Sequence, residues 1–385
     1  MLTLLARLNE KNISRNTIAD VARHAGVSKA TVSRFLNHRE KLLSPQIAAR
    51  VDAAINELGY VPSPMAQALK WGRSRLIGLV VADITNPYSV AVLRGVEEAL
   101  RKAGYLVMLF NLGNESERES AALRALSSYK VEGFVLNAMG HDTGALLEAA
   151  SQGKPVVLID RMHPGLDVDI VTLDNWHAVK ESCQHLIDAG YRELLLVTEP
   201  VGTVSSRMER SQAFKKVMEN SEIPGVCIEQ TQNDFQTLVQ NLREFKENAC
   251  AAPAIICANA VITLQVVAAA ESLGWRLGTD VGLVGIDDTP WAPYVGPGIT
   301  ALAQPTDEIG QLATKCLLQR LEGLDSPGRS FRLQGTLMVR GSTRGPGVSA
   351  DSSCRGETGS RDVGSLKSET DKKEGDTDEH TEATY

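Results

Sequence analysis

The sequence predicts an α/β protein in which an all-α amino-terminal head precedes a body of two Rossmann-like lobes, each built on a parallel sheet. Three observations carry that prediction. At roughly 150 residues per domain, 385 residues favour two or three folded units. Residues 16–60 carry short helical patterns with almost no strand signal. Residues 76–342 alternate continuous apolar runs with amphipathic stretches, which is how strands buried on both faces and covered by helices read.

Taken in order, the first helix opens at Thr17, a good cap, and its apolar residues Ile18, Val21, Ala22 and Ala25 recur at helical spacing. Gly26 ends it. Ser28 caps a second helix, Lys29–Leu36, in which Val32, Phe35 and Leu36 share a face. The polar residues Lys29, Thr31, Ser33, Arg34 and Asn37 mostly occupy the other side. Two short helices across a tight turn with glycine form a helix-turn-helix, whose second helix enters the major groove of DNA. Ser44–Leu58 supplies a third helix, with Val51, Ala54, Ile55 and Leu58 closing a small core. In the body, Ile77–Val81, Leu106–Phe110, Gly133–Leu136, Val156–Ile159, Leu194–Val197, Ala254–Cys257 and Gly282–Gly285 read as buried strands. Val90–Ala103, Ser116–Ser127 and Val179–Ala189 are helical stretches between them. About a dozen strands exceed one open sheet, hence two lobes. Residues 345–385 hold few apolar residues and no apolar heptad, so an acidic, disordered tail is expected there.

The net charge of −7 is unevenly spread: +7 over residues 1–75, −9 over 76–344 and −5 over 345–385. A basic head on an acidic body points to a polyanion partner for the head, or to a solvated terminal arm. No run approaches the roughly 20 apolar residues needed to span a bilayer. The Met1–Leu5 stretch, interrupted by Arg7, is too short for a signal-peptide core. A cytoplasmic protein with no membrane partner is expected. The six cysteines (183, 227, 250, 257, 316 and 354) form no C-x-x-C pair, which argues against zinc and thioredoxin-type chemistry. Motifs for nucleophilic serine, phosphate-binding loops, zinc proteases and dinucleotides are missing, so an enzyme is not expected.

The run Thr17…Asp20-Val-Ala…Ala25-Gly-Val-Ser-Lys-Ala-Thr-Val-Ser-Arg34…Asn37, followed by Leu58-Gly-Tyr-Val-Pro62, resembles the lactose/galactose repressor (LacI/GalR) family. The resemblance covers about residues 16–342. It implies an N-terminal extension (1–15), a helix-turn-helix domain (16–62) and a hinge helix with linker (63–75). An N-terminal effector lobe (76–174 with 304–325) and a C-terminal effector lobe (175–303 with 326–342) follow. By the same resemblance Lys29, Ala30 and Arg34 read base edges: Lys and Arg suit guanine acceptors, and Ala30 packs on a thymine methyl. Ser28, Thr31, Ser33 and Asn37 anchor phosphates, with Thr17 beside them at the DNA interface. The hinge segment Ser63–Lys70 folds on DNA, where Leu69 wedges into the minor groove with Ala66 facing the groove beside it. The alternative for Leu69 is packing against the body.

The two-lobed body resembles periplasmic sugar-binding proteins as well as repressor cores, and such ligands bind between lobes at the carboxyl ends of strands. That places Tyr88 and Ser89, in Asp83-Ile-Thr-Asn-Pro-Tyr-Ser89, at the cleft. Asp160 and Arg161 end a strand there, and Asn259 and Asp287 end two others. Ser206, Arg207 and Arg210 precede a helix, Arg210 matching the family's ligand-binding arginine, and Phe235 matches its stacking aromatic. Each has a structural alternative. Arg210 and Asp287 pair with each other or with backbone; Tyr88 and Phe235 pack in cores; Arg161 and Arg207 lie on the surface; Asp160 caps a loop. Many relatives carry Asn-Asp where this chain has Asn259-Ala260, and the lost carboxylate, in a cleft with three arginines, leans the site towards an anion. The resemblance is greatest to repressors of gluconate and 2-ketogluconate utilisation. It implies a homodimer on a near-palindromic operator in double-stranded DNA, with a small-molecule effector, a sugar acid, and no other cofactor. A neutral-sugar or purine effector is the alternative, and a transport-associated sugar-binding protein a more remote one.

Overall fold

The computed structural model describes residues 16–36, 43–61, 73–113, 115, 117–137, 153–163, 165–231 and 234–346. The assignments made for the 1–15 extension, Asn37, the hinge positions Ala66 and Leu69, and the tail from 347 onward lie outside the described residues.

The head holds three helices, α1 (Ile18–His24), α2 (Lys29–Leu36) and α3 (Pro45–Leu58). Thr17 caps α1, its backbone N–H and Oγ1 both donating to the Asp20 carboxylate. Gly26, at φ +62°, turns the chain out of α1, and Arg50 of α3 donates to the Ala25 and Gly26 carbonyls left behind. Val21, Ala22, Ala25, Val32, Val51 and Ala54 form the core, with Phe35, Leu36, Ile55 and Leu58 around it. Ser44 caps α3, Pro45 opens it, and Gly59 at φ +56° closes it.

The first lobe is a six-stranded parallel sheet of β1 (Leu76–Val81), β2 (Leu106–Asn111), β3 (Gly133–Leu136), β4 (Val156–Ile159), β5 (Asp169–Leu173) and β11 (Ser330–Leu333). Its order is β11-β5-β4-β3-β1-β2. Strand side chains alternate between two apolar layers. Ile77, Leu79, Val135 and Val157 meet α4 (Pro87–Lys102) and α10 (Thr306–Leu321), while Val80, Phe134, Leu136 and Leu158 meet α5 (Glu117–Ser128). α4 and α10 cross so closely that a Cβ on Gly95 would stand 2.6 Å from the Asp307 carbonyl oxygen, and one on Gly310 would stand 2.7 Å from that of Val92.

The second lobe repeats the plan with β6 (Glu193–Thr198), β7 (Gly225–Glu229), β8 (Pro253–Cys257), β9 (Gly282–Ile286), β10 (Thr300–Ala303) and β12 (Thr336–Met338), ordered β12-β10-β9-β8-β6-β7. α6 (Asn175–Asp188) and α7 (Ser205–Ser221) cover one face; α8 (Phe235–Glu247) and α9 (Ala260–Ser272) cover the other. The chain crosses between lobes after β5, after β10 and between β11 and β12. No described helix is long and apolar enough to cross a membrane.

Three expectations change. The apolar run Leu106–Phe110 is not buried: among the described residues β2 is an edge strand paired only with β1, and Leu106 is 61% exposed. The segment 326–342 does not belong wholly to the C-terminal lobe, because β11 pairs in parallel with β5 of the first lobe and only β12 returns to the second. That return makes β12 antiparallel to β10, so the second sheet is not purely parallel.

Candidate DNA and effector sites

On α2, Lys29, Ala30 and Arg34 are exposed side by side with Ser28 at the helix entrance. Thr31 and Ser33 are half-buried. Ser28 Oγ accepts the Thr31 N–H at 3.1 Å and lies 2.9 Å from Thr31 Oγ1, so both hydroxyls also serve the helix start. Thr17 is exposed but committed to its bond with Asp20.

Between the lobes, the carboxyl ends of seven strands and the first turns of three helices converge on one cleft. Nine of the ten residues expected to meet an effector line it: Tyr88 and Ser89 from α4, Asp160 and Arg161 after β4, Ser206, Arg207 and Arg210 from α7, Asn259 after β8, and Asp287 after β9. Phe235 does not. It opens α8 and is 37% exposed.

Arg210 is 5% exposed and fixed from two sides, its Nε donating to Asn175 Oδ1 (2.8 Å) and its Nη1 to the Ala258 carbonyl (2.6 Å). Its Nη2 stays 3.9 Å from Asp160 Oδ1. Arg161 Nε is 3.4 Å from Asp160 Oδ2, and Ser206 Oγ donates to the same oxygen at 3.4 Å. Arg161 and Arg207 are therefore cleft residues, not surface charges. Asp160 and Asp287 both adopt positive φ (63° and 77°) immediately after their strands. Asp tolerates that region better than most residues, and strain of this kind gathers at functional sites. Asp287 accepts from the Ala260 N–H (3.0 Å) and from Gln304 Nε2 (2.6 Å). Burial pushes its carboxyl up, against the nearby Arg210 charge. Burial, then the Asp160 and Asp287 charges, pushes the Tyr88 phenol well up as well, so it stays protonated.

The strands and crossovers bring in further residues that the sequence did not assign to the effector, among them Asp83, Asn86, Asn137, Glu199 and Gln304. Glu199 corrects a premise. The carboxylate missing beside Asn259 is supplied from the end of β6, where Glu199 accepts from Arg207 Nη2 (2.6 Å) and Asn259 Nδ2 (2.7 Å). Three buried polar atoms of cleft residues have no hydrogen-bond partner among the described residues: Tyr88 Oη, Asn137 Oδ1 and Gln304 Oε1. The N-termini of α4, α7 and α9 face this space with no acidic residue in their first turns. Their dipoles favour an anion there.

Comparison with known proteins matches both the head and the body. The model of bacterial regulatory proteins of the lacI family matches residues 17–63, and that of the periplasmic binding protein-like domain matches 183–343. The chain is 45% identical to the HTH-type transcriptional regulator PtxS of Pseudomonas plecoglossicida, over 86% of this chain and 96% of that one. It is 40% identical to the HTH-type transcriptional regulator KdgR of Bacillus subtilis, over 86% and 99%. A solved lac repressor dimer bound to operator and the anti-inducer ONPF superposes with a TM-score of 0.73 at 26% identity, covering 86% of this chain and 99% of that one.

Proposed function

The chain belongs to the lacI family of bacterial regulatory proteins, and from that premise we propose that it is a homodimeric, sequence-specific transcriptional repressor whose effector is a sugar acid. It acts in the cytoplasm on double-stranded operator DNA. Lys29, Ala30 and Arg34 on the exposed face of α2 support base reading in the major groove. The edge strands β2 and β7 leave Leu106, Leu109 and Val226 exposed, an apolar surface suited to a second copy of the chain. A two-fold dimer calls for a near-palindromic site, and the lac repressor that this chain resembles is a dimer on operator.

The observation that carries the effector class is the juxtaposition, in one cleft, of three arginines and three helix N-termini with the partnerless Tyr88 Oη, Asn137 Oδ1 and Gln304 Oε1. Arginine forks suit a carboxylate, and two orphaned acceptors call for hydroxyl donors. A polyhydroxy acid offers both, and 2-ketogluconate or gluconate is the specific match we propose. Its binding draws the lobes together, alters the spacing of the paired heads and lowers operator affinity.

A thermal-shift panel of gluconate, 2-ketogluconate, other sugar acids, neutral hexoses, ribose and purines tests this. Ligand at about 100 times its dissociation constant adds about 2.7 kcal/mol, a readable shift. A shift confined to sugar acids supports the proposal; a shift by neutral sugars or purines alone overturns the effector class. Duplex binding should weaken steeply with salt as neutralised phosphates recapture counterions, and salt-insensitive binding would sink the DNA role.

A further inference from the structure

Glu199 occupies a donor set that suits a carboxylate. Its Oε2 alone takes two donors, Arg207 Nη2 at 2.6 Å and Asn259 Nδ2 at 2.7 Å. Arg207 is anchored beside it, Nη1 donating to the Pro200 carbonyl at 2.8 Å, and Asn259 spends its Oδ1 capping α9. A guanidinium and an amide N–H on one wall are the donor set that a ligand carboxylate needs, and the protein's own carboxylate occupies it. The pair is well shielded, the two side chains being 13% and 12% exposed. The cavity left beside it is about 30 Å³, room for about two waters and far less than a six-carbon acid requires.

We propose that Glu199 is an internal competitor that holds Arg207 and Asn259 in the unliganded protein and is displaced by the effector's own carboxylate. This rests on the sugar-acid reading of the cleft and adds its selectivity device. Breaking a shielded ion pair without replacement leaves an unpaired charge, which is costly, whereas exchanging one carboxylate for another leaves Arg207 paired throughout, provided the released Glu199 carboxylate turns out to water. An acid can make that exchange. A neutral polyol of the same shape cannot, so it meets a cleft that stays latched. Rejection of the uncharged sugar is built into the unliganded state.

The test is calorimetric titration of the full-length parent, Glu199→Gln and Glu199→Asp with gluconate, 2-ketogluconate and sorbitol, the uncharged polyol on the gluconate skeleton. Removing the competing charge should tighten both acids about tenfold in Glu199→Gln and also relax the rejection of sorbitol, which no longer has an ion pair to break. Glu199→Asp keeps the charge but shortens its reach, so it should gain less; it carries the test if the melting curve shows that Glu199→Gln does not fold. Acid binding that appears only in Glu199→Gln supports the proposal too. Weaker binding of acids and sorbitol together would show Glu199 to be a direct partner of effector hydroxyls and overturn the competitor role. Unchanged acid affinity overturns it as well, with the effector reading intact. If neither the parent nor the variants bind either acid, both readings fall.

Discussion

Asp287 shows how one buried carboxylate is made to serve a cleft. Its two oxygens are held by the Ala260 N–H and Gln304 Nε2, and burial raises its pKa above the ordinary 3.8. A raised folded-state pKa means that the stability tied to this group is full below the unfolded value and is lost as pH rises through the folded one. Asp287→Asn cannot ionise, and Gln304 can turn its amide so that the partnerless Oε1 accepts from the new amide. The melting temperature of Asp287→Asn relative to the parent should therefore climb as the pH rises from about 4 to about 7. A difference that stays flat across that range rules the account out. The same scale shows what could be read beforehand. Asp160, Asn259 and Asp287 were legible because they follow recognisable apolar strands. Asn137 and Glu199 follow strands just as recognisable, Gly133–Leu136 and Leu194–Val197, and the same rule reaches them. Gln304 was not legible, since the short strand before it, Thr300–Ala303, gave no distinct apolar run. Phe235 is the opposite case: its assignment came from the resemblance alone, with no strand end to place it, and it is not among the residues lining the cleft.

At the level of elements, Asp169 binds three segments distant in sequence. Its side chain is fully buried at the start of β5, where Arg320 from the end of α10 and Arg329 just before β11 both grip it. Burial alone would push this carboxyl up; the hydrogen bonds from Arg329 and Arg320 outweigh it and hold it well below the usual carboxylate range. A depressed folded pKa gives stability that is present above the unfolded value of 3.8 and is lost as pH falls below it. Asp169→Asn should cost about 3 kcal/mol at neutral pH, because it strands two arginines, and the gap to the parent should narrow below pH 4 in acid denaturation curves. The pair explains why β11 adds to the first lobe's sheet, a pairing that a four-residue strand with alternating exposure does not announce. β2 misled for a related reason: continuous apolar character marks a strand buried on both faces or an edge strand awaiting a partner, and periodicity alone does not separate them. In the head, Gly26 sits at φ +62° with Arg50 against the space a side chain would fill. Gly26→Ala should cost the head about 1–2 kcal/mol and weaken operator binding in anisotropy titrations while leaving effector affinity unchanged. Equal losses at both sites would mean that the head does not fold as a separate core.

For the whole molecule, charge and topology divide the work. The basic residues 1–75 meet the polyanion, and the acidic body places three arginines, Arg161, Arg207 and Arg210, in the cleft. Because three crossovers join the lobes and both lobes line the cleft, a ligand that bridges them stabilises one relative lobe position over others. Only differential affinity for those positions moves the equilibrium. The coupling is then reciprocal: whatever factor an effector imposes on the operator dissociation constant, operator must impose on that of the effector. Factors of about 5–150 are usual for such coupling, and the cleft residues set its size. Fluorescence anisotropy with labelled operator, at zero and saturating 2-ketogluconate, gives the first factor; calorimetric titration of the acid into free and operator-saturated protein gives the second. We expect both to exceed five and to agree within error, with the acid weakening operator. A factor of one on either side would mean that the cleft and the DNA head are housed in one chain without being linked. Equal factors that collapse together in Arg207→Ala, with operator binding by the unliganded variant intact, would place the origin of the coupling at the arginine that Glu199 holds.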